Sequence, residues 1–144
     1  MILRAATIQF EPRPGDKQHN LARIEHFARA AAAEGAQIAA FPEMCLLGYW
    51  HLTKRDADYL HGVAEPDDGP SIARVSALAA ELHIGIGFGL LTARDGWLFN
   101  AYAVCLPDGS VHIHRKLHAF EHEAVSSGQA GSKFGLLLPE AREA

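Results

Sequence analysis

The sequence has little of what would place it outside an ordinary folded domain. It holds two cysteines, Cys45 and Cys105, too few for a disulfide framework, so both are read as reduced thiols. No apolar run approaches the roughly 20 residues that cross a bilayer, and the chain does not open on the basic and apolar segments of a signal peptide. The expected compartment is therefore the cytoplasm, with no membrane partner. Positive charge is not in excess either: 13 Lys and Arg stand against 17 Asp and Glu, a net charge of −4. Without a basic footprint, nucleic acid drops out as a partner. What remains is a chain of 144 residues, 49% apolar and 21% charged, the size of one domain that buries roughly two-thirds of its unfolded surface.

Apolar periodicity divides that domain into alternating elements. Met1 to Phe10 alternates weakly and reads as a strand ending before Glu11 and Pro12. From Lys17 to Glu34, Leu21, Ile24, Phe27, Ala28 and Ala31 recur at helical spacing, Asp16 can cap the start, and Gly35 lies where a glycine ends a helix. Ala36 to Phe41 is a short apolar run that reads as a buried parallel strand, completing a βαβ unit. A polar stretch after Tyr49 reads as a loop with one short helix before Asp68-Gly69-Pro70. Ser71 to Leu82 then repeats the helical pattern and leads into the apolar run His83 to Leu90.

Gly85, Gly87 and Gly89 alternate with Ile and Phe and are not followed by a helix, so close packing explains them better than a phosphate loop. Turn signals at Arg94-Asp95-Gly96 and Pro107-Asp108-Gly109-Ser110 separate two further strands, Trp97 to Leu106 and Val111 to Arg115. The fold class is α/β: a mixed sheet of about six strands with two helices on one face. The other face is expected to be apolar and to invite association with a second copy.

Two polar groups break the apolar pattern in an informative way. Glu43 follows the run Ala36 to Phe41 across Pro42, just past the carboxyl end of a strand, where open α/β sheets place their ligands. Lys116 stands in His114-Arg115-Lys116-Leu117-His118-Ala119-Phe120-Glu121, also after an apolar segment. The two are 73 positions apart, yet parallel neighbouring strands would bring them within about 4–6 Å, charge-pair range.

Phe41-Pro42-Glu43 followed by Gly48-Tyr49, and Arg115-Lys116-Leu117-His118 followed by a glutamate, resemble the first two active-site motifs of the nitrilase superfamily of carbon–nitrogen hydrolases. Arg4 to Phe10, Asn20 with Leu21, and Trp97-Leu98-Phe99-Asn100-Ala101 are similar to its pattern as well, and the likeness extends to about Gly128. The resemblance implies half of an α-β-β-α sandwich and hydrolysis of small amides, nitriles or carbamoyl compounds without a cofactor or metal. It implies Glu43 as general base and acid, Lys116 as the oxyanion partner, Glu121 as the second glutamate in preference to Glu123, and Tyr49 in the substrate pocket. The family's nucleophile is a cysteine on a later strand, and no matching motif occurs here. Residues 129–144 form an atypical tail, so the expectation is a single truncated domain, through truncation or a frame change rather than as a short paralogue.

Neither available thiol fits the vacant role: Cys45 lies at a variable motif position and Cys105 inside a strand, both as small buried hydrophobes. Activity of the chain alone is expected to be nil. Two other classes compete. One is a non-catalytic binding or assembly module of the same fold. The other is a metal site on His114, His118 and His122, which recur every four residues but start at a strand end and lack the second histidine of a zinc-protease helix.

Overall fold

The computed structural model describes residues 2–117. Its elements are β1 (Ala5–Thr7), α1 (Lys17–Ala33), β2 (Ile38–Ala40), α2 (Tyr49–Leu52), α3 (Ala57–Val63), α4 (Pro70–Leu82), β3 (Gly85–Arg94), β4 (Trp97–Cys105) and β5 (Val111–Arg115). They build one sheet in the order β1-β2-β3-β4-β5, parallel from β1 to β3 and antiparallel from β3 to β5. The mixed α/β sheet is as read from the sequence, with five strands rather than about six among the described residues. The polar stretch after Tyr49 holds two short helices, not one, and His83 is not in a strand. It ends α4 in a left-handed conformation (φ 55°).

Local chemistry accounts for the helix ends. The Asp16 carboxylate accepts from the His19 backbone N–H at 3.0 Å and caps α1, and Gly35 (φ +79°) follows its end. Pro70 opens α4, where its missing N–H costs nothing. The free N–H of Ser71 goes instead to Glu65 Oε2 at 2.9 Å.

The strand register assigns each side chain to a face. Ile86, Phe88 and Leu90 of β3, with Ala101, Ala103 and Cys105 of β4, point toward α1 and α4 and form the main core with Ile24, Ala28, Ile72, Val75 and Ala79. Each large side chain buried there contributes about 1.5–3 kcal/mol. Gly85, Gly87, Gly89 and Leu91 point the other way, together with Leu98, Asn100, Tyr102 and Val104, and with His112 and His114 of β5. One end of this second face is covered by α2 and α3 through Met44, Leu47, Leu52, Leu60, Leu91 and Leu98. The remainder mixes apolar residues, Ala5, Ile38, Ala40, Tyr102 and Val104, with exposed polar ones, Thr7, His112 and His114. We call it the open face.

Candidate active site

The two sequence-predicted charges meet on the open face. Lys116 Nζ donates to Glu43 Oε1 at 2.8 Å, closer than the 4–6 Å expected from strand ends. The route differs from the one anticipated, because β2 and β5 are not neighbours. Two strands lie between them, which at ~4.8 Å per strand separates them by ~14 Å. The chain closes that distance by turning after β2 and lying across β3.

Gly89 makes the crossing possible. A Cβ on Gly89 would stand 2.2 Å from Met44 N, 2.7 Å from Glu43 C and 2.7 Å from Pro42 O. The backbone that carries Glu43 thus rests directly on a strand position without a side chain. Gly87 plays the same part for Tyr102, whose ring would meet an added Cβ at 2.7 Å. The close-packing account of these glycines holds at both positions.

Met44, buried completely, takes φ 53° immediately after Glu43. This left-handed conformation is uncommon for a residue with a large side chain, and the surroundings hold it in place. Leu46 N donates to Gly89 O at 3.2 Å, Gly48 N to Met44 O at 2.8 Å, and Gly15 N to Leu47 O at 2.9 Å. Asn20, fully buried on α1, donates to Leu46 O at 3.0 Å and exchanges two bonds with the Arg13 backbone at 2.7 and 2.8 Å. The Tyr102 hydroxyl lies 2.9 Å from both Phe41 O and Gly87 O. Turn and strand are tied on both sides of Glu43.

Glu43, Asn100, Tyr102, His114, Lys116 and Leu117, with Ala101, line a cavity of about 430 Å³ that is open to solvent. Lys116 Nζ also sits 5.7 Å from the centre of the Tyr49 ring, within cation–π range, so Tyr49 stands beside the pair. Asn100 Nδ2 donates to Glu43 Oε1 at 2.5 Å. This residue carried no role in the sequence reading. A polar side chain inside an apolar strand was the available signal, since buried amides are placed where they find partners.

Neither thiol lines this cavity. Cys45 Sγ is 3.7 Å from Gly89 O and Cys105 Sγ 3.9 Å from Ile72 O, and both residues belong to the core between sheet and helices. Burial pushes the Cys45 thiol up to about 12 and the Cys105 thiol up to about 11, the opposite of an activated nucleophile. Glu121, Glu123, His118 and His122 lie outside the described residues. Among the described residues no three His, Cys, Asp or Glu side chains are grouped to hold a metal ion, and no helix is long and apolar enough to cross a membrane.

The family model for carbon-nitrogen hydrolases matches residues 4–136. The chain belongs to that family. As a carbon-nitrogen hydrolase family member it is 35% identical to an omega-amidase of Xenopus tropicalis, over 91% of this chain and 50% of the relative. It is 30% identical to a bromoxynil-specific nitrilase of Klebsiella pneumoniae subsp. ozaenae, over 87% of this chain and 39% of that one. In fold it resembles a CN-hydrolase superfamily protein of Xanthomonas campestris that carries an arsenic adduct in its active site, with TM-score 0.70 and 24% identity over 82% of this chain and 42% of that one. The carbon-nitrogen hydrolase chain described here spans half or less of the length of these relatives. The family match also continues beyond Gly128, where the likeness of the motifs ends.

Proposed function

We propose that the chain carries the acid–base and oxyanion groups of a hydrolase for non-peptide carbon–nitrogen bonds, with small amides, nitriles or carbamoyl compounds as substrates. The observation that carries this reading is the 2.8 Å contact between Glu43 and Lys116 at the edge of an open cavity. In the reaction Glu43 takes the proton of the attacking thiol and returns it to the leaving nitrogen. The Lys116 ammonium donates to the oxyanion of the tetrahedral intermediate. Tyr49 walls the substrate beside the lysine, and Glu121 is the second glutamate of the site.

The nucleophile is the missing part. Cys45 and Cys105 are buried and line no part of the cavity, so the 144-residue chain by itself is assigned no turnover. Their placement equally favours the second reading, a binding or assembly module that keeps the fold without the chemistry. In either case the open face is the surface through which copies associate, and the protein works in the cytoplasm without metal or cofactor. The test is ammonia release by the purified chain from a panel of aliphatic amides and nitriles. No release is expected. Turnover that disappears in Cys45→Ser would overturn the assignment and make Cys45 a nucleophile in its own right.

A further inference from the structure

We infer that Asn100 is the positioning residue of this site, holding Glu43 through its side chain and Lys116 through its main chain, and that it leaves Oε2 of Glu43 as the oxygen that handles protons. The inference rests on Glu43 and Lys116 being the acid–base and oxyanion groups, and extends that reading to a residue with no assigned part in it.

The Glu43 side chain is 49% exposed, so packing does not choose its rotamer. Two donors do: Lys116 Nζ at 2.8 Å and Asn100 Nδ2 at 2.5 Å, both on Oε1. A carboxylate oxygen has two lone pairs in its plane, and these two bonds use both. Proton transfer to and from Glu43 therefore falls to Oε2. The lysine alone would not fix the carboxylate, because an ammonium is a compact charge on a flexible stem with no preferred approach.

Asn100 supplies the missing direction. It is 3% exposed, sits in the middle of β4 opposite Leu91 of β3, and its carbonyl accepts from the Lys116 backbone N–H at 2.8 Å. The same residue thus sets where the lysine leaves the sheet and where the carboxylate points. An amide at this reach is the group required: aspartate has the same shape but would turn an acceptor toward Glu43, and leucine has similar bulk without a donor.

The test reads the pair directly and does not depend on turnover. In the parent chain the Lys116 ammonium should give a slowly exchanging ¹⁵N–¹H signal in mildly acidic buffer. In Asn100→Leu its solvent exchange should accelerate by about tenfold or more, since one charge-assisted bond to the carboxylate is lost. Asn100→Asp, which turns an acceptor toward Glu43 in place of the donor, should accelerate it in the same buffer while the unfolding transition stays cooperative. Unchanged exchange in either folded variant overturns the inference. Should both variants fail to fold, Glu43→Gln decides, because Glu43 is half-exposed. There the Asn100 side-chain amide protons of the parent should lose their downfield shift and exchange faster, and amide signals identical to the parent's would refute the role. Ammonia release bears on the hydrolase reading alone, so the two can fail separately.

Discussion

Replacing Gly89 with alanine tests how the site is assembled. An alanine Cβ would lie 2.2 Å from Met44 N and 2.7 Å from both Glu43 C and Pro42 O. Normal contacts between such atoms are about 3.5 Å, so the turn must lift by about 1 Å, and no flexible side chain is available to yield. Lifting it breaks the Leu46 N to Gly89 O bond at 3.2 Å and draws Glu43 away from Asn100 and Lys116. Overpacking costs about 1–3 kcal/mol where side chains give way, and a collision with three backbone atoms belongs at the top of that range. The lowered chain entropy of alanine returns only about 0.4–1 kcal/mol. We expect a net loss of about 2–3 kcal/mol, read as a urea midpoint lowered by roughly 1–2 M at an unchanged slope. Gly85→Ala is the control on the same strand and face: its added Cβ meets Leu106 Cδ2 at 3.4 Å and Ile38 Cγ1 at 3.5 Å, ordinary contacts, so its midpoint should stay close to the parent's. Equal midpoints for Gly89→Ala and the parent would refute the account of how Glu43 crosses β3.

Three further outcomes follow from groups away from the pair. Glu65, buried at 5% exposure, takes Lys17 Nζ at 2.8 Å and Ser71 N and Oγ at 2.9 and 2.8 Å; Glu65→Leu should cost about 3 kcal/mol in urea unfolding, since it leaves buried donors unpaired. Burial pushes the Glu65 carboxyl up, but Lys17 and Ser71 outweigh it and hold it below the ordinary value of 4.5, so the stability it contributes is present above that value and lost as pH falls through its folded pKa. Unfolding curves at neutral and acidic pH that shift in parallel for parent and Glu65→Gln would contradict this. Cys45 and Cys105 should react with an aromatic disulfide only on unfolding at mildly alkaline pH, since their thiols stand at about 12 and 11; prompt labelling of the native chain would show that a thiol reaches solvent. At His51, the Arg55 guanidinium 3.3 Å from Nδ1 makes that nitrogen the acceptor, so Nε2–H donates to Tyr59 Oη at 2.8 Å. Burial and then Arg55 lower the His51 pKa below 6.5, so stability should fall as pH drops below about 6.5 and level off under the folded value. His51→Gln should flatten that part of the profile in thermal melts, and an unchanged profile would exclude the group.

The elements legible in the sequence were those whose periodicity matches their burial. α1 and α4 carry apolar residues at helical spacing because each lays one stripe on the sheet, and β4 and β5 are bounded by turns whose glycines, Gly96 and Gly109, take positive φ. Glu43 and Lys116 were legible through their motifs, Phe41-Pro42-Glu43 with Gly48-Tyr49 and Arg115-Lys116-Leu117-His118, since a charge after an apolar run by itself fits a solvated loop equally well. The route between them was not. Strand order decides how far apart β2 and β5 lie, and order is a property of pairing between distant segments. The two short helices were merged in the reading because α2 is a single turn, Tyr49–Leu52, too short to show a period. The open face was expected to be apolar because helices cover the other one; Ile38, Ala40, Tyr102 and Val104 do lie on it, and His112 and His114 alternate out of β5 beside them. Glu65 read as one acid in a polar loop; only the fold brings Lys17, from 48 positions away, to its carboxylate.

A crystal structure of the chain at neutral pH tests the central claim most directly, through the separation of the Glu43 carboxylate from the Lys116 ammonium. The account predicts hydrogen-bond contact near 2.8 Å, with Asn100 Nδ2 on the same carboxylate oxygen and both cysteine sulfurs buried outside the cavity. A carboxylate turned away from the lysine, or a cysteine sulfur on the open face beside the pair, would contradict it.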